Sequence, residues 1–232
     1  MNKSSPPPVE MLIEELQSKS RPGALEGMAR YGINTETAIG VSIPELRKTA
    51  RQIGKNHSYA LKLWKTGIHD ARILASMVDE PAKVSPTQMI RWAKAFNSWD
   101  LCDQVCNNLF SRTAHAWQKA SEWCNREEEF VKRAGFTLQA CLANHEKSVD
   151  DEEFLAFFPL ISRGADDDRN YVKKAVNWSL RQIGKRSIML HQHAIDCANE
   201  LEQHEEKSAK WIARDALKEL TSDQVMKKLK LR

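Results

Sequence analysis

Apolar residues recur along this chain at intervals of three and four, with polar positions between them, over nearly its whole length. That is the 3.6-residue period of helices burying one face, and no stretch shows the alternation of a half-buried strand. Start and stop signals cut the pattern into short pieces. Ser42-Ile43-Pro44-Glu45 reads as a capping box with an early proline, and Gly54 ends the helix it opens. Ser85-Pro86-Thr87-Gln88 opens a later one, while Gly67 and Gly184 read as C-terminal stops. The pattern predicts helices over 9–19, 24–31, 43–53, 57–66, 69–79, 86–97, 99–110, 114–125, 127–144, 151–162, 167–184, 187–203, 207–219 and 222–230.

The helices also resemble one another. Val131-Lys132-Arg133-Ala134 opens one helix, Val172-Lys173-Lys174-Ala175 another, and Ala209-Lys210-Trp211-Ile212 resembles both; His69-Asp70-Ala71-Arg72 reads as an earlier copy. The offsets are 41 residues from Val131 to Val172 and 38 from Val172 to Lys210. Two helices per unit at this period is the signature of HEAT or armadillo arrays, whose units stack because none can bury its apolar face alone. The expected fold is therefore an all-α, HEAT-like or armadillo-type α-α solenoid of about six to seven helical pairs. It is expected to fill residues 9–232 as one domain, after a flexible tail over residues 1–8. The second helix of each pair would line a concave side, which makes Arg72, Arg133, Lys173, Lys174, Arg181 and Arg214 candidates for one basic strip. Such a strip suits a phosphate backbone.

Composition narrows the class. Of 232 residues, 41% are hydrophobic and 28% charged, ordinary for a soluble protein with a sizeable core. No apolar run approaches the roughly 20 residues of a membrane span. The start is polar and proline-rich, without the apolar core of a signal peptide, so a cytoplasmic location is expected (on the nucleoid, in a bacterium). The five cysteines include an i,i+4 pair, Cys102 and Cys106, but no C-x-x-C spacing; they read as buried thiols rather than metal ligands. His191 and His193 point to different helical faces, so no metal is expected. The net charge of +4, from 35 basic and 31 acidic residues, barely favours nucleic acid. The acidic groups at Glu127–Glu129, Asp150–Glu153 and Asp166–Asp168 precede apolar runs and read as helix N-terminal charge.

Candidate chemistry begins at Ser98-Trp99-Asp100-Leu101-Cys102-Asp103, read as a helix start. Trp99 and Asp103 lie four apart on one face. A carboxylate can stabilise a developing cation, and an indole can hold an electron-poor sugar or base. Against this, Trp92 and Trp99 are seven apart and both suit a core. Trp178 has Lys174 four before it and Arg181 three after, which fits a nucleic-acid surface or an indole covered by aliphatic stems. Lys132 and Arg133 open a helix against its dipole, which suggests a phosphate contact, a pairing with Asp103, or local pairing with Glu127–Glu129. Trp64, Trp117, Trp123 and Trp211 read as core. No phosphate loop, H-E-x-x-H site or G-x-S-x-G elbow occurs. Chemistry from a carboxylate, aromatics and cations fits hydrolysis through an oxocarbenium-like transition state.

In order, Gly40-Val41-Ser42-Ile43-Pro44-Glu45-Leu46-Arg47, Leu63-Trp64, His69-Asp70-Ala71-Arg72, Ser98 to Asp103, Phe130 to Ala134 and Val172 to Arg181 resemble the AlkD-like DNA alkylation repair family. The likeness runs over roughly residues 25–220. It implies a HEAT-like solenoid gripping duplex DNA and hydrolysing the N-glycosidic bond of cationic lesions such as 3-methyladenine and 7-methylguanine, without flipping the base into a pocket. It implies that Asp103 lies near the lesion's deoxyribose, that Trp99 and Trp178 contact that sugar, and that Arg133 supports the site. Arg72, Lys132, Lys173, Lys174, Arg181, Lys185 and Arg214 are then the DNA-binding candidates. Better-known members carry an aromatic where this chain has Ser98, and often two arginines where it has Lys132-Arg133. No lysine is placed as a Schiff-base nucleophile, so a monofunctional glycosylase without cofactor or metal, acting as a monomer on damaged double-stranded DNA, is expected. The rivals are a non-catalytic DNA-binding solenoid and a HEAT protein scaffold using the acidic segment 200–206.

Overall fold

The computed structural model describes residues 6–230, without the side chain of Lys230. Of the expected tail, residues 1–5 lie outside the described residues, and Pro8, at φ −50° and ψ 143°, leads into the first helix.

Fourteen α-helices and no strand occur among the described residues. They are α1 (Val9–Ser18), α2 (Ala24–Arg30), α3 (Ile43–Ile53), α4 (His57–Lys65), α5 (His69–Val78), α6 (Pro86–Lys94) and α7 (Trp99–Asn108), then α8 (Ala116–Glu122), α9 (Glu129–His145), α10 (Phe158–Gly164), α11 (Asn170–Gly184), α12 (Ile188–Glu202), α13 (Lys207–Leu220) and α14 (Asp223–Lys230). Side-chain caps account for several ends, the one at Ser42 as read from the sequence. Ser42 Oγ accepts the Glu45 N–H at 3.4 Å, Asn56 Oδ1 that of Tyr59 at 3.0 Å, and Ser187 Oγ that of Leu190 at 3.3 Å. Gly54 and Gly67 both stand at φ 76°, as stops should.

One expectation is corrected and one is sharpened. The helix expected over 151–162 is a 3₁₀ turn, Asp151–Phe157, followed by α10. Pro159 lacks the N–H that would bond Leu155, and its ring would strike that carbonyl in a continuous helix. Gly184 does end α11, without a left-handed turn; α12 crosses there, and a Cβ would lie 2.6 Å from that of Ala194.

The helices group into two compact units, one reaching Met89 and resuming from Phe96 to Thr113, the other comprising Ile90–Ala95 and the residues from Ala114 onward. In the first, α5 packs against α3, α4 and α7. Its core includes Leu46, Leu63, Leu74, Leu101 and Phe110, with Phe96 between Trp64 and Phe110 at ring distances of 6.2 and 6.3 Å. In the second, α9, α11 and α13 lie side by side, backed by α8, α10 and α12 respectively. Those three are the helices whose openings repeat in the sequence, so the repeat is a true structural period. Trp123, Phe136, Phe154, Leu180 and Leu201 fill this core, and Trp117 stacks on Phe157 at 5.2 Å. All five cysteines are buried thiols outside any disulfide, as expected.

Polar rungs join the front row of the second unit at the repeat spacing. Gln139 Oε1 accepts from Ser179 Oγ at 2.7 Å, and Asn177 Nδ2 donates to Asp215 at 2.6 Å. Each rung satisfies a buried polar group that would otherwise cost on the order of 1–3 kcal/mol.

Candidate nucleic-acid interface

In the first unit, the openings of α5 and α7 are built together. Asp70 is 2% exposed, and its carboxylate accepts the backbone N–H groups of Ile39, Gly40 and Val41 at 2.6, 3.4 and 2.8 Å. This clamp fastens the loop before α3 to α5. Beside it, buried His69 holds Asp100 Oδ2 through Nε2 at 2.8 Å. Ser98 Oγ donates to the other Asp100 oxygen and accepts the Asn34 N–H at 3.4 Å. Ser98 therefore spends its hydroxyl on a side chain instead of capping α7. Burial pushes the Asp100 carboxyl upward, but His69 and Ser98 outweigh it and hold the group below its ordinary range.

On this anchored start sit Trp99 and Asp103. Leu101, Cys102, Val105 and Cys106 turn into the core, which leaves Trp99 and Asp103 half-buried on the other side of α7. Trp99 is thus not a core residue like Trp92, which is fully buried. Its indole N–H donates to the Tyr31 carbonyl at 3.0 Å, which pins the ring edge. Arg72, half-buried on α5, lies over the Trp64 ring at 5.1 Å. Burial lowers the pKa of its guanidinium, which nonetheless stays charged.

In the second unit, the opening of α9 carries Lys132 and Arg133. Lys132 Nζ meets Asp167 at 2.8 Å, and Arg133, 5% exposed, donates to the Tyr171 carbonyl at 2.6 Å. Asp167 also takes Arg169 in a forked bond at 2.9 and 2.6 Å. Burial works against ionising Asp167, yet Arg169 and Lys132 together bring its pKa down to about 2. Asp167 was expected to be helix-terminal charge; it is the link between α9 and the segment before α11.

On α11, Trp178 is half-buried and Lys174, one turn earlier, is exposed. Arg181 and Lys185 share Glu219 of α13, and Arg181 lies 3.8 Å from Asp215. Lys173 reaches over the Trp211 ring at 5.1 Å. Arg214 is exposed, with Glu202 at 3.4 Å. The expected basic strip is therefore uneven: Lys174 and Arg214 face solvent, while Lys132, Arg181 and Lys185 engage carboxylates of neighbouring segments.

One residue expected in the core is not there. Trp211 is 40% exposed, because the apolar stripe of α13 runs through Ala209, Ile212, Ala213 and Ala216 and leaves position 211 outside it. The cations around it at 207, 210, 214 and 218 were the signal available in the sequence. The His69–Asp100–Ser98 network had no such signal, since His69 lies 31 residues before Asp100.

The DNA alkylation repair enzyme family matches residues 12–220. An uncharacterised protein of Listeria innocua is 23% identical over 193 residues, covering 82% of this chain and 84% of its own. An uncharacterised protein of Listeria monocytogenes is 22% identical over the same shares. A solved structure described as a new family of proteins related to the HEAT-like repeat DNA glycosylases with affinity for branched DNA structures superposes with a TM-score of 0.75. It is 19% identical and covers 90% of this chain and 94% of that one, which shows the HEAT-like fold.

Proposed function

We propose that this chain, which belongs to the DNA alkylation repair enzyme family, is a monofunctional DNA glycosylase for cationic alkylpurines such as 3-methyladenine and 7-methylguanine in duplex DNA. The observation that carries the reading is the start of α7: a half-buried carboxylate, Asp103, one turn after an indole whose N–H is already anchored. An alkylated purine carries positive charge, so it departs with the glycosidic electron pair as a neutral base and needs no general acid. Positive charge then grows on the deoxyribose. Asp103 is assigned its stabilisation and the orientation of the attacking water, whose oxygen bonds C1′ while its proton passes to Asp103 or solvent. Trp99 is assigned a sugar contact through its ring, worth on the order of 1 kcal/mol. Stabilisation of a few kcal/mol in total gives roughly 10²–10³-fold in rate, useful for a bond that is already labile.

In the second unit, Trp178 is assigned contact with a DNA sugar and Arg133 contact with the strand. Lys174, Arg214, Lys173 and Arg72 are assigned to phosphates. Lys132, Arg181 and Lys185 bring charge that Asp167 and Glu219 already offset, so their net pull on DNA is smaller.

A second reading, structure-selective DNA binding without base release, is favoured by Ser98. It is 1% exposed and tied to Asp100, so it offers no stacking surface where other members have an aromatic. The relative with affinity for branched DNA structures points the same way. Release of 7-methylguanine from methylated duplex decides between them. The glycosylase reading expects Asp103→Asn to lose most release while duplex affinity stays within about twofold. Wild-type protein that binds the duplex and releases no base leaves the second reading.

A further inference from the structure

Helix α13 carries a patch of which the duplex reading uses only Arg214. Lys207, Lys210, Trp211, Arg214 and Lys218 follow one another at helical spacing and, with Asp215, line a shallow depression of about 400 Å³. Trp211 is 40% exposed, and Lys173 of α11 lies 5.1 Å from its ring centroid. Single exposed apolar residues are common and carry no meaning alone. Here the indole stands among cations, and the lining carboxylate, Asp215, is engaged by Asn177 at 2.6 Å. Glu202 reaches Arg214 from α12 at 3.4 Å and leaves Lys207, Lys210 and Lys218 as further positive charge.

An open ring among cations matches a ligand that combines an aromatic face with negative charge. In a duplex, the faces of the bases are covered by one another, and a surface indole meets only sugar and phosphate. An unpaired nucleotide presents both its base face and its phosphates. We propose that the Trp211 patch binds single-stranded DNA, stacking an unpaired base on the indole and holding the flanking phosphates with Lys207, Lys210, Arg214 and Lys218. The patch would give the protein a grip on unpaired strand beside the duplex it repairs. The argument stands on α13 and not on Asp103, so it survives if no base is released.

The test is fluorescence anisotropy with the full chain on a blunt duplex, the same duplex with a single-stranded overhang, and that overhang made of abasic residues. The overhang should strengthen binding by about tenfold, and its abasic form by clearly less, because only the phosphate contacts remain. Trp211→Ala should bring the overhang's contribution down to that of its abasic form and leave blunt-duplex affinity within about twofold; Trp211→Phe should retain most of it. Thermal unfolding of both variants should match wild type, since the ring is exposed. Equal binding of normal and abasic overhangs, equal loss on blunt and tailed duplex, or displacement by an acidic peptide as readily as by the oligonucleotide would each overturn the proposal.

Discussion

Replacing Asp70 by asparagine tests the clamp that ties α5 to the loop before α3. The carboxylate is 2% exposed and receives three backbone N–H groups, from Ile39 and Gly40 on one oxygen and from Val41 on the other. Asparagine keeps one oxygen. The less costly orientation keeps it on Ile39 and Gly40 and turns the amide NH₂ toward the Val41 N–H, donor against donor. The orphaned buried N–H costs about 1–3 kcal/mol, and the two surviving bonds each weaken when their acceptor loses its charge. The sum is about 2–4 kcal/mol of stability. For a chain of this length each kcal/mol moves the melting temperature by roughly 2–4 °C, so Asp70→Asn should melt about 5–15 °C lower in calorimetry. Hydrogen exchange should show the Ile39 and Val41 amides losing protection before the core of α5. A variant that melts within about 2 °C of wild type, with those amides still protected, would refute the claim that the clamp holds the loop.

The remaining expectations concern packing, acid stability and charge. Gly184→Ala should cost about 1–3 kcal/mol, read from chemical denaturation, because its Cβ would press on Ala194 at 2.6 Å. Asp167 has its pKa depressed to about 2, so its ion pairs contribute stability above its ordinary pKa of 3.8 and lose it as pH falls toward 2. The stability gap between wild type and Asp167→Asn should therefore be full at pH 6 and close between about pH 4 and pH 2; a gap independent of pH would contradict the pairing. Lys174→Glu should weaken duplex binding and reduce the slope of log affinity against log salt by about one, whereas Lys132→Gln should change that slope little. A large slope change at Lys132 would mean that Asp167 does not hold it.

Most of the helices could be read from the chain alone, because helix period, caps and stops act within a few residues of one another. Ser42, Asn56 and Ser187 cap as their types require, and the repeat of α9, α11 and α13 was visible in their opening residues. The reading was incomplete at two places. Gly184 ends α11 as read but is also small because another helix crosses it, and the segment read as one helix over 151–162 is a 3₁₀ turn up to Phe157, with Pro159 in the first turn of α10. The candidate site was legible as residue types: Trp99, Asp103, Arg133 and Trp178 were all named from spacing and resemblance.

Their surroundings were not legible. Spacing could not tell whether Trp99 packs in the core or Trp211 stands in water, because the buried stripe of each helix is chosen by the neighbours that cover it. Nor could it pair Lys132 with Asp167, or Arg181 and Lys185 with Glu219, across 34 to 38 residues of chain. Local periodicity sufficed for which segments are helical, since helix hydrogen bonds span four residues. Which charges stay available for a phosphate, and which are offset by a carboxylate one repeat away, depended on helix stacking, where electrostatic partners meet by proximity in space rather than in sequence.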